Sequence, residues 1–81
     1  MIEYVFEPQN QRSAAYYDGQ LIGECVYQVR GNAWLIVHTE VAPAFGGQGI
    51  ARKLVLMVAD EAANEGIEVI PVCSYAVKVL G

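Results

Sequence analysis

The first half of the chain alternates short runs of β-branched and aromatic residues with turn-forming residues, a pattern that predicts strands. Four such runs are present, at Ile2–Phe6, Arg12–Tyr17, Gln20–Val29 and Ala33–Val41. Asp18-Gly19 suits a two-residue hairpin turn in which both central residues need positive φ, and Gly31-Asn32 suits a second tight turn. Because only short connections separate neighbouring runs, we expect a four-stranded antiparallel meander.

From about Gln48 to Asn64 the apolar residues change to a helical spacing. Residues four apart share one stripe of a helix, and here they are Ile50, Leu54, Val58 and Ala62. Gly66 is positioned as the C-terminal stop. The segment Ile67–Tyr75 is interpreted as a buried fifth strand, parallel to the fourth through a right-handed crossover, because a helix separates the two. The last residues, YAVKVL, fit either a short C-terminal helix or the end of that strand.

The order of four strands, a helix and a fifth strand predicts a mixed α/β (α+β) class, and the length and composition are those of one compact soluble domain covering residues 1–81. Hydrophobic residues make up 54% of the chain and charged residues 17%, far from the composition of disordered proteins. No apolar run is long enough to cross a bilayer. The first residues lack a basic segment followed by an apolar one, so a cytoplasmic location is expected.

Charge and cysteine content argue against several partners. The formal net charge is −4 with no clustered basic tract, which argues against binding to nucleic acid and gives no reason to expect membrane association. Cys25 and Cys73 are too few for a disulfide framework. With the single histidine, His38, they do not reproduce the spacing of a zinc site. We therefore expect free thiols and no metal.

The segment before the predicted helix is rich in glycine, with Gly46, Gly47 and Gly49 close together. The first turn of a helix presents unpaired N–H groups and the positive end of the helix dipole, which together attract anions. Glycines let several N–H groups point at one place. The alternative interpretation is that the glycines only make a tight connection between strand and helix.

The charges of the predicted helix lie opposite to the order that stabilises a helix. Arg52 and Lys53 are near its positive end, whereas acidic residues are near its negative end. This arrangement favours an external anion at the N-terminus, although the alternative is that these are ordinary solvated charges. The Walker motif needs Ser or Thr directly after its lysine, and it is excluded because Leu54 follows Lys53. The dinucleotide-binding fingerprint is excluded because Arg52 occupies the position of its third glycine.

"GGQGIARKL" following "TEVAP" resembles the acyl-CoA-binding signature of the GNAT superfamily of N-acetyltransferases, in which Arg or Gln, two residues, Gly, any residue and Gly or Ala follow one another. Gly46 takes the first place, Gly49 the central glycine and Ala51 the last. Gly46 departs from the usual Arg or Gln. Together with "VIPVCSYAVKVL" the match extends over residues 34–80 and resembles GNAT-like acetyltransferases of minimal length.

The resemblance implies a GNAT-like fold in which the fourth and fifth strands splay apart and acetyl-CoA, the acyl donor, binds between them. Its pantetheine arm would lie beside Glu40 and Val41, and its pyrophosphate would rest on the glycine loop. The remaining residues of this implied binding site are Gly46, Gly47, Gln48, Gly49, Ile50, Ala51, Arg52 and Lys53. The reaction implied is direct attack of an amine on the thioester.

Such a transfer needs a base for the amine and a proton for the departing thiolate. His38, near the end of the fourth strand, is the candidate base, and Cys73, at the end of the fifth, is a candidate acid. Tyr75 is the competing acid, because the resemblance implies a tyrosine donor near this position. The structural alternatives are that Cys73 is a small buried apolar residue and that His38 packs on the strand face of Trp34 and Ile36.

Typical GNAT chains carry one or two helices between the first two strands, whereas here only residues 7–11 fill that place. An open acceptor side follows, which suits an exposed lysine or N-terminus of a protein as well as a small amine. The net negative charge favours a cationic acceptor. Two alternative functions stay open: a coenzyme A or acyl-CoA binding module without turnover, and an interaction domain with no ligand.

Overall fold

A computed structural model describes residues 1–81 and consists of five strands and two α-helices. The strands are β1 (Ile2–Glu7), β2 (Arg12–Tyr17), β3 (Gln20–Arg30), β4 (Ala33–Val41) and β5 (Glu68–Pro71). The helices are α1 (Ile50–Asn64) and α2 (Ser74–Leu80), and short 3-10 turns occur at Pro8–Asn10 and Pro43–Phe45. No helix combines the length and the apolar character needed to span a membrane.

The five strands form one sheet in chain order. Strands β1 to β4 pair antiparallel, and β5 pairs parallel to β4, which confirms the predicted meander and crossover. The first hairpin turn has positive φ at both Asp18 (52°) and Gly19 (79°), as its sequence predicts. Gly66 has φ 70° and ends α1, and the amide of Ile67 donates to the carbonyl of Ala62.

The core lies between one face of the sheet and the helices. The stripe of α1 that spacing predicts is buried, and its buried residues are Ile50, Leu54, Val55, Val58 and Ala62. They pack with Trp34 and Ile36 of β4 in a single cluster, and α2 joins that cluster through Ala76. The Oγ of buried Ser13 donates to the carbonyl of Leu54 over 2.7 Å, which connects β2 to the N-terminal half of α1. Neither helix covers the opposite face, which we call the open face.

A β-bulge interrupts the pairing of β3 with β4. Tyr27 pairs with Ile36 but Val26 pairs with His38, so Val37 is an extra residue with no partner. An extra residue moves every later side chain to the other face of a strand. The prediction that His38 shares a face with Trp34 and Ile36 is therefore wrong: His38 is exposed on the open face, whereas Trp34 and Ile36 are buried under the helices.

The fifth strand is shorter than the predicted Ile67–Tyr75, because it ends at Pro71. Proline has no N–H to continue a ladder, and the amides of Val72 and Cys73 both donate to the carbonyl of Ile36. The tail then forms α2, which settles the open choice between helix and strand. At the other end of the crossover, α1 begins at Ile50 rather than Gln48, because Gly49 has a left-handed φ of 77°.

A network of polar side chains crosses the open face from β1 to β3. Arg12 Nε donates to Glu7 over 2.8 Å, and Arg12 Nη1 donates to Glu24 over 2.9 Å. Glu7 also accepts hydrogen bonds from the hydroxyl of Tyr16 and from Asn10. The Tyr16 hydroxyl, together with Arg12, lowers the pKa of Glu7. The network therefore stabilises the ionised form of a carboxylate that is almost completely buried.

We expect Glu7→Gln to destabilise the protein by about 2 kcal/mol at pH 7, because it removes the charged acceptor of this network. Because the pKa of Glu7 is lower in the folded protein than its ordinary value, the ionised carboxylate stabilises the fold at pH values above that ordinary value. This contribution is lost as the pH falls and the carboxylate becomes protonated. The difference between variant and wild type should thus shrink below the usual pKa of 4.5. Urea unfolding at pH 7 and pH 3 measures it, with exposed Glu3→Gln as the control. An equal difference at both pH values would contradict this account.

Candidate active site

The cleft between β4 and β5 is where the two strands separate. Their parallel pairing ends at Ile36 and Pro71, whereas β4 continues to Val41. The amide of Ala42 donates to Ile22 of β3 over 2.7 Å, so the alternation of the ladder directs the main-chain groups of Thr39 and Val41 towards the cleft. The unpaired strand edge offers hydrogen bonds to an extended ligand. Of the two predicted neighbours of such a ligand, Val41 presents its main chain here and Glu40 does not.

The glycine loop closes one end of this cleft. Gly47 and Gly49 have left-handed φ values of 76° and 77°, which other residues rarely adopt. None of the main-chain N–H groups of residues 47–52 donates to another main-chain group. These N–H groups lie at the N-terminus of α1, where the helix dipole is positive and no side chain caps the helix. The loop therefore has the donors and the potential that an anion needs.

A groove of about 260 Å³ joins the loop, the end of β4 and α2. Its lining residues are Val41, Phe45, Gly46, Gly47, Gly49, Ile50, Ala51 and Tyr75. All but Phe45 are residues that the sequence resemblance pointed to, and they come from three separate segments. Sequence reasoning did not predict Phe45 as a lining residue. Its position directly before Gly46 and Gly47 is the pattern that could have indicated it. Thr39 was missed because only the ladder shows which main-chain groups face the cleft.

Four of the predicted ligand-binding residues do not line this groove. Gln48 is exposed in the glycine loop before α1, and Arg52 is exposed at the first turn of α1 and forms no ion pair. Lys53 points towards β1, where its Nζ lies 4.3 Å from the ring centroid of Tyr4 in a cation–π contact. The side chain of Glu40 extends over the open face. The two adjacent cations therefore occupy different surroundings, which the sequence alone does not show.

His38 lies on the open face between two carboxylates. Its Nε2 is 3.0 Å from Oε1 of Glu40 and 4.0 Å from Oε2 of Glu24, and about half of its side chain is exposed. Glu24 was missed by sequence reasoning, because it becomes the cross-strand partner of Glu40 only through the bulge in β4. The ligating atoms of Glu24, His38 and Glu40 all lie within 4.8 Å of one another, a spacing at which they can hold a metal ion.

Cys73 lies on the other side of β4 from His38. Its Sγ accepts from the amide of Ala76 over 3.4 Å and is 3.6 Å from Thr39 Oγ1, which also donates to Cys25 Sγ over 3.6 Å. Because Thr39 and His38 are successive residues of one strand, their side chains extend to opposite faces. The structure thus places His38 and Cys73, two of the three sequence-predicted catalytic residues, near one strand edge without a hydrogen bond between them.

The two cysteines differ in accessibility. Cys25 is completely buried, and burial raises the pKa of its thiol to about 11. Such a thiol stays protonated at neutral pH and has little nucleophilic character. Cys73 is partly buried and forms the N-cap of α2. Both thiols are free, as the sequence predicts.

Residues 12–81 match the family model described as GCN5-related N-acetyl-transferase. No curated protein sequence matches the chain. Solved structures share its fold. A GCN5-related N-acetyltransferase from Sphaerobacter thermophilus is 24% identical, with a TM-score of 0.69, over 74% of this chain and 20% of its own. An N-acetylglutamate synthase from Neisseria gonorrhoeae, complexed with coenzyme A and N-acetyl-glutamate, is 19% identical, with a TM-score of 0.72, over 86% of this chain and 17% of its own.

A third structure, a protein of unknown function and probable acetyltransferase from methicillin-resistant Staphylococcus aureus, is 15% identical with a TM-score of 0.72. It covers 99% of this chain and 85% of its own. The chain spans only about a fifth of the length of the first two structures. Sequence identities as low as those of all three structures establish the fold alone. The family model covers most of the chain, and the chain belongs to the GCN5-related N-acetyltransferase family.

We expect Gly49→Ala to destabilise the protein by about 1–2 kcal/mol, because a side chain at φ 77° is strained. The matched control is Gly46→Ala. Gly46 has an ordinary φ of −65°, and an added Cβ would lie 3.3 Å from the carbonyl oxygen of Pro43, a tight contact that a small shift of the loop relieves. Urea unfolding of the two variants should show a clearly smaller loss for Gly46→Ala. Equal losses of unfolding free energy would mean that the left-handed conformation of Gly49 is not what makes Gly49→Ala destabilising.

Proposed function

We propose that the chain is an acetyl-CoA-dependent N-acetyltransferase that transfers an acetyl group directly to an amine. The observation that carries this proposal is the row of free N–H groups at residues 47–52, placed at the end of an unpaired strand edge. A pyrophosphate needs the first feature, and the amide-containing arm of coenzyme A needs the second. Both features occur in one continuous groove on a chain of the N-acetyltransferase family.

In this proposal the pyrophosphate lies on the amides of the glycine loop, and the pantetheine arm pairs with the main chain of Thr39 and Val41. Arg52 supplies a positive charge beside the phosphates, since it is exposed at the first turn of α1 without an acidic partner. The N-acetylglutamate synthase that was solved with coenzyme A has the same fold, which supports a ligand of this class. Lys53 is engaged with Tyr4 and acts less directly.

The proposed reaction uses the two sides of β4 differently. Bound acetyl-CoA supplies an activated acetyl thioester in the cleft. On the open face His38, held by Glu40, accepts the proton that the amine loses as its nitrogen bonds to the acetyl carbon. On the groove side the hydroxyl of Tyr75 donates a proton to the sulfur as the carbon–sulfur bond breaks. Tyr75 suits this role better than Cys73, whose Sγ contacts Thr39 and caps α2.

The acceptor approaches from the open face in this scheme. No helix covers that face, so the amine can belong to a small molecule or to a lysine or N-terminus of a protein. Carboxylates of Glu24 and Glu40 flank His38, and the chain carries a net charge of −4. These charges favour a cationic acceptor.

Binding without transfer is the second candidate function, and Gly46 favours it. The family signature usually has Arg or Gln at that position, and glycine offers no side chain to a phosphate. A coenzyme A binding module would keep the groove and show no turnover. The two experiments below separate the two functions, because the first measures binding and the second measures transfer.

The first experiment is isothermal titration of coenzyme A into wild type, Arg52→Glu and Lys53→Glu. These variants reverse the charge of adjacent residues, of which only Arg52 lacks a partner within the protein. We expect Arg52→Glu to weaken binding about tenfold, which corresponds to about 1.4 kcal/mol, and Lys53→Glu to weaken it much less. No detectable binding to wild type, together with an unchanged melting temperature, would refute the proposal.

The second experiment follows thiol release from acetyl-CoA with a panel of primary amines. We expect His38→Gln to reduce kcat by about a hundredfold or more, because it removes the base while leaving the groove intact. Tyr75→Phe should also reduce kcat, and Cys73→Ala should leave most of it. Coenzyme A titration checks that each variant still binds. Unchanged kcat in His38→Gln would rule out His38 as the base, and binding without turnover in wild type would select the binding module.

A further inference from the structure

The bulge in β4 brings three potential metal ligands together on the open face. Glu24 pairs directly with Glu40 across β3 and β4, and Val26 pairs with His38, so the side chains of Glu24, His38 and Glu40 extend from neighbouring positions of one face. We propose that these three residues form a binding site for a divalent transition-metal ion, specifically Zn²⁺. The proposal stands on their geometry and charge and does not depend on the proposed acetyl transfer.

The distances suit a single zinc ion. Nitrogen and oxygen ligands lie about 2.0–2.2 Å from zinc, so two ligands of a tetrahedral site are about 3.4 Å apart. Nε2 of His38 is 3.0 Å from Glu40 Oε1 and 4.0 Å from Glu24 Oε2, values on either side of that spacing. The three ligand atoms lie within 4.8 Å of one another, and rotation of the exposed side chains of His38 and Glu40 brings them to one ion. Three protein ligands leave a fourth position for water.

A second set of residues orients one ligand. Arg12 Nη1 binds Oε1 of Glu24 over 2.9 Å, and Glu7 holds Arg12 over 2.8 Å. The other oxygen of Glu24 is left facing His38. Metal ligands commonly have such an outer hydrogen-bond partner, which limits their movement and strengthens binding. Glu24 is therefore directed towards the site before any ion arrives.

The local charge matches a divalent cation. Glu7, Glu24 and Glu40 contribute three negative charges and Arg12 contributes one positive charge, which leaves −2 around a neutral imidazole. One Zn²⁺ ion neutralises this cluster. An imidazole nitrogen favours zinc over Mg²⁺ or Ca²⁺, which prefer ligands made of oxygen alone. The thiols of Cys25 and Cys73 contact Thr39 on the other side of β4 and take no part.

Zinc and a proton would compete for the same lone pair of His38. Where the proposed acetyl transfer holds, zinc bound at this site blocks the base and inhibits the reaction, and a chelator restores it. That consequence rests on the proposed function, whereas the binding itself does not. The two are separable, because coenzyme A binding and zinc binding can each be measured alone.

The test is isothermal titration of zinc chloride into the protein in a buffer that does not bind metal, with NMR of the imidazole protons as a second readout. His38 is the only histidine, so its two ring C–H resonances are assigned without ambiguity. We expect one ion per chain and a shift or broadening of both resonances. Glu24→Gln, Glu40→Gln and His38→Gln should each weaken binding at least about tenfold.

The controls are Glu3→Gln, an exposed carboxylate on β1, and Cys73→Ser, and neither should change zinc affinity. Glu24→Gln also removes the partner of Arg12, so this variant can lose stability as well as zinc affinity. If it does not fold, Glu40→Gln is the decisive variant, because the side chain of Glu40 is 69% exposed. Binding that persists in His38→Gln and disappears in Cys73→Ser would overturn the proposal. So would the absence of saturable binding, or ring resonances that zinc does not move.

Discussion

The extra residue in β4 is the constraint on which the rest of the structure depends. Before Val37 the even-numbered residues of the strand face the helices, and after it the odd-numbered ones do. Trp34 and Ile36 can therefore fill the core while His38 is exposed only two residues later. A regular strand would bury His38 and expose Thr39, and neither the carboxylate–histidine cluster nor the contact of Thr39 with Cys73 would exist.

The same region ends the pairing of β4 with β5. The carbonyl of Ile36 accepts from two successive amides of the chain that leaves β5, and Pro71 offers no N–H to prolong the ladder. Beyond that point β4 has a free edge, and the glycine loop at the N-terminus of α1 lies beside it. Helix α1 also begins without a side-chain cap and with Arg52 near its positive end, features that cost a helix stability. Local instability of this kind is typical of a site that binds an anion.

The missing cover on one face of the sheet gives the site two accessible sides. The groove with Tyr75 opens on the side of the helices, and His38 with its two carboxylates lies on the other. In the proposed transfer the nitrogen attacks and the sulfur leaves at the same acetyl carbon, which therefore has to lie in the cleft at the free edge of β4, where the two sides of the strand meet. The polar network from Glu7 to Glu24 holds charged side chains together on the open face, next to the positions proposed for the cationic acceptor and for the zinc ion.

The sequence by itself determined the elements, their order and the glycine loop. Apolar periodicity, hairpin residues such as Asp18-Gly19 and the stop at Gly66 act over a few residues, so local patterns are sufficient to locate them. Family resemblance added the residues of the groove other than Phe45, because the glycine motif is continuous in the chain and the resemblance also covers Val41 and Tyr75. Only the tertiary structure decided the face of His38, the partner of Glu24, the separate directions of Arg52 and Lys53 and the end of β5 at Pro71. The first two follow from one extra residue in the ladder between β3 and β4, and the last two depend on contacts with other strands. A linear pattern does not specify such pairing, because the same alternation is compatible with a regular strand and with a bulged one.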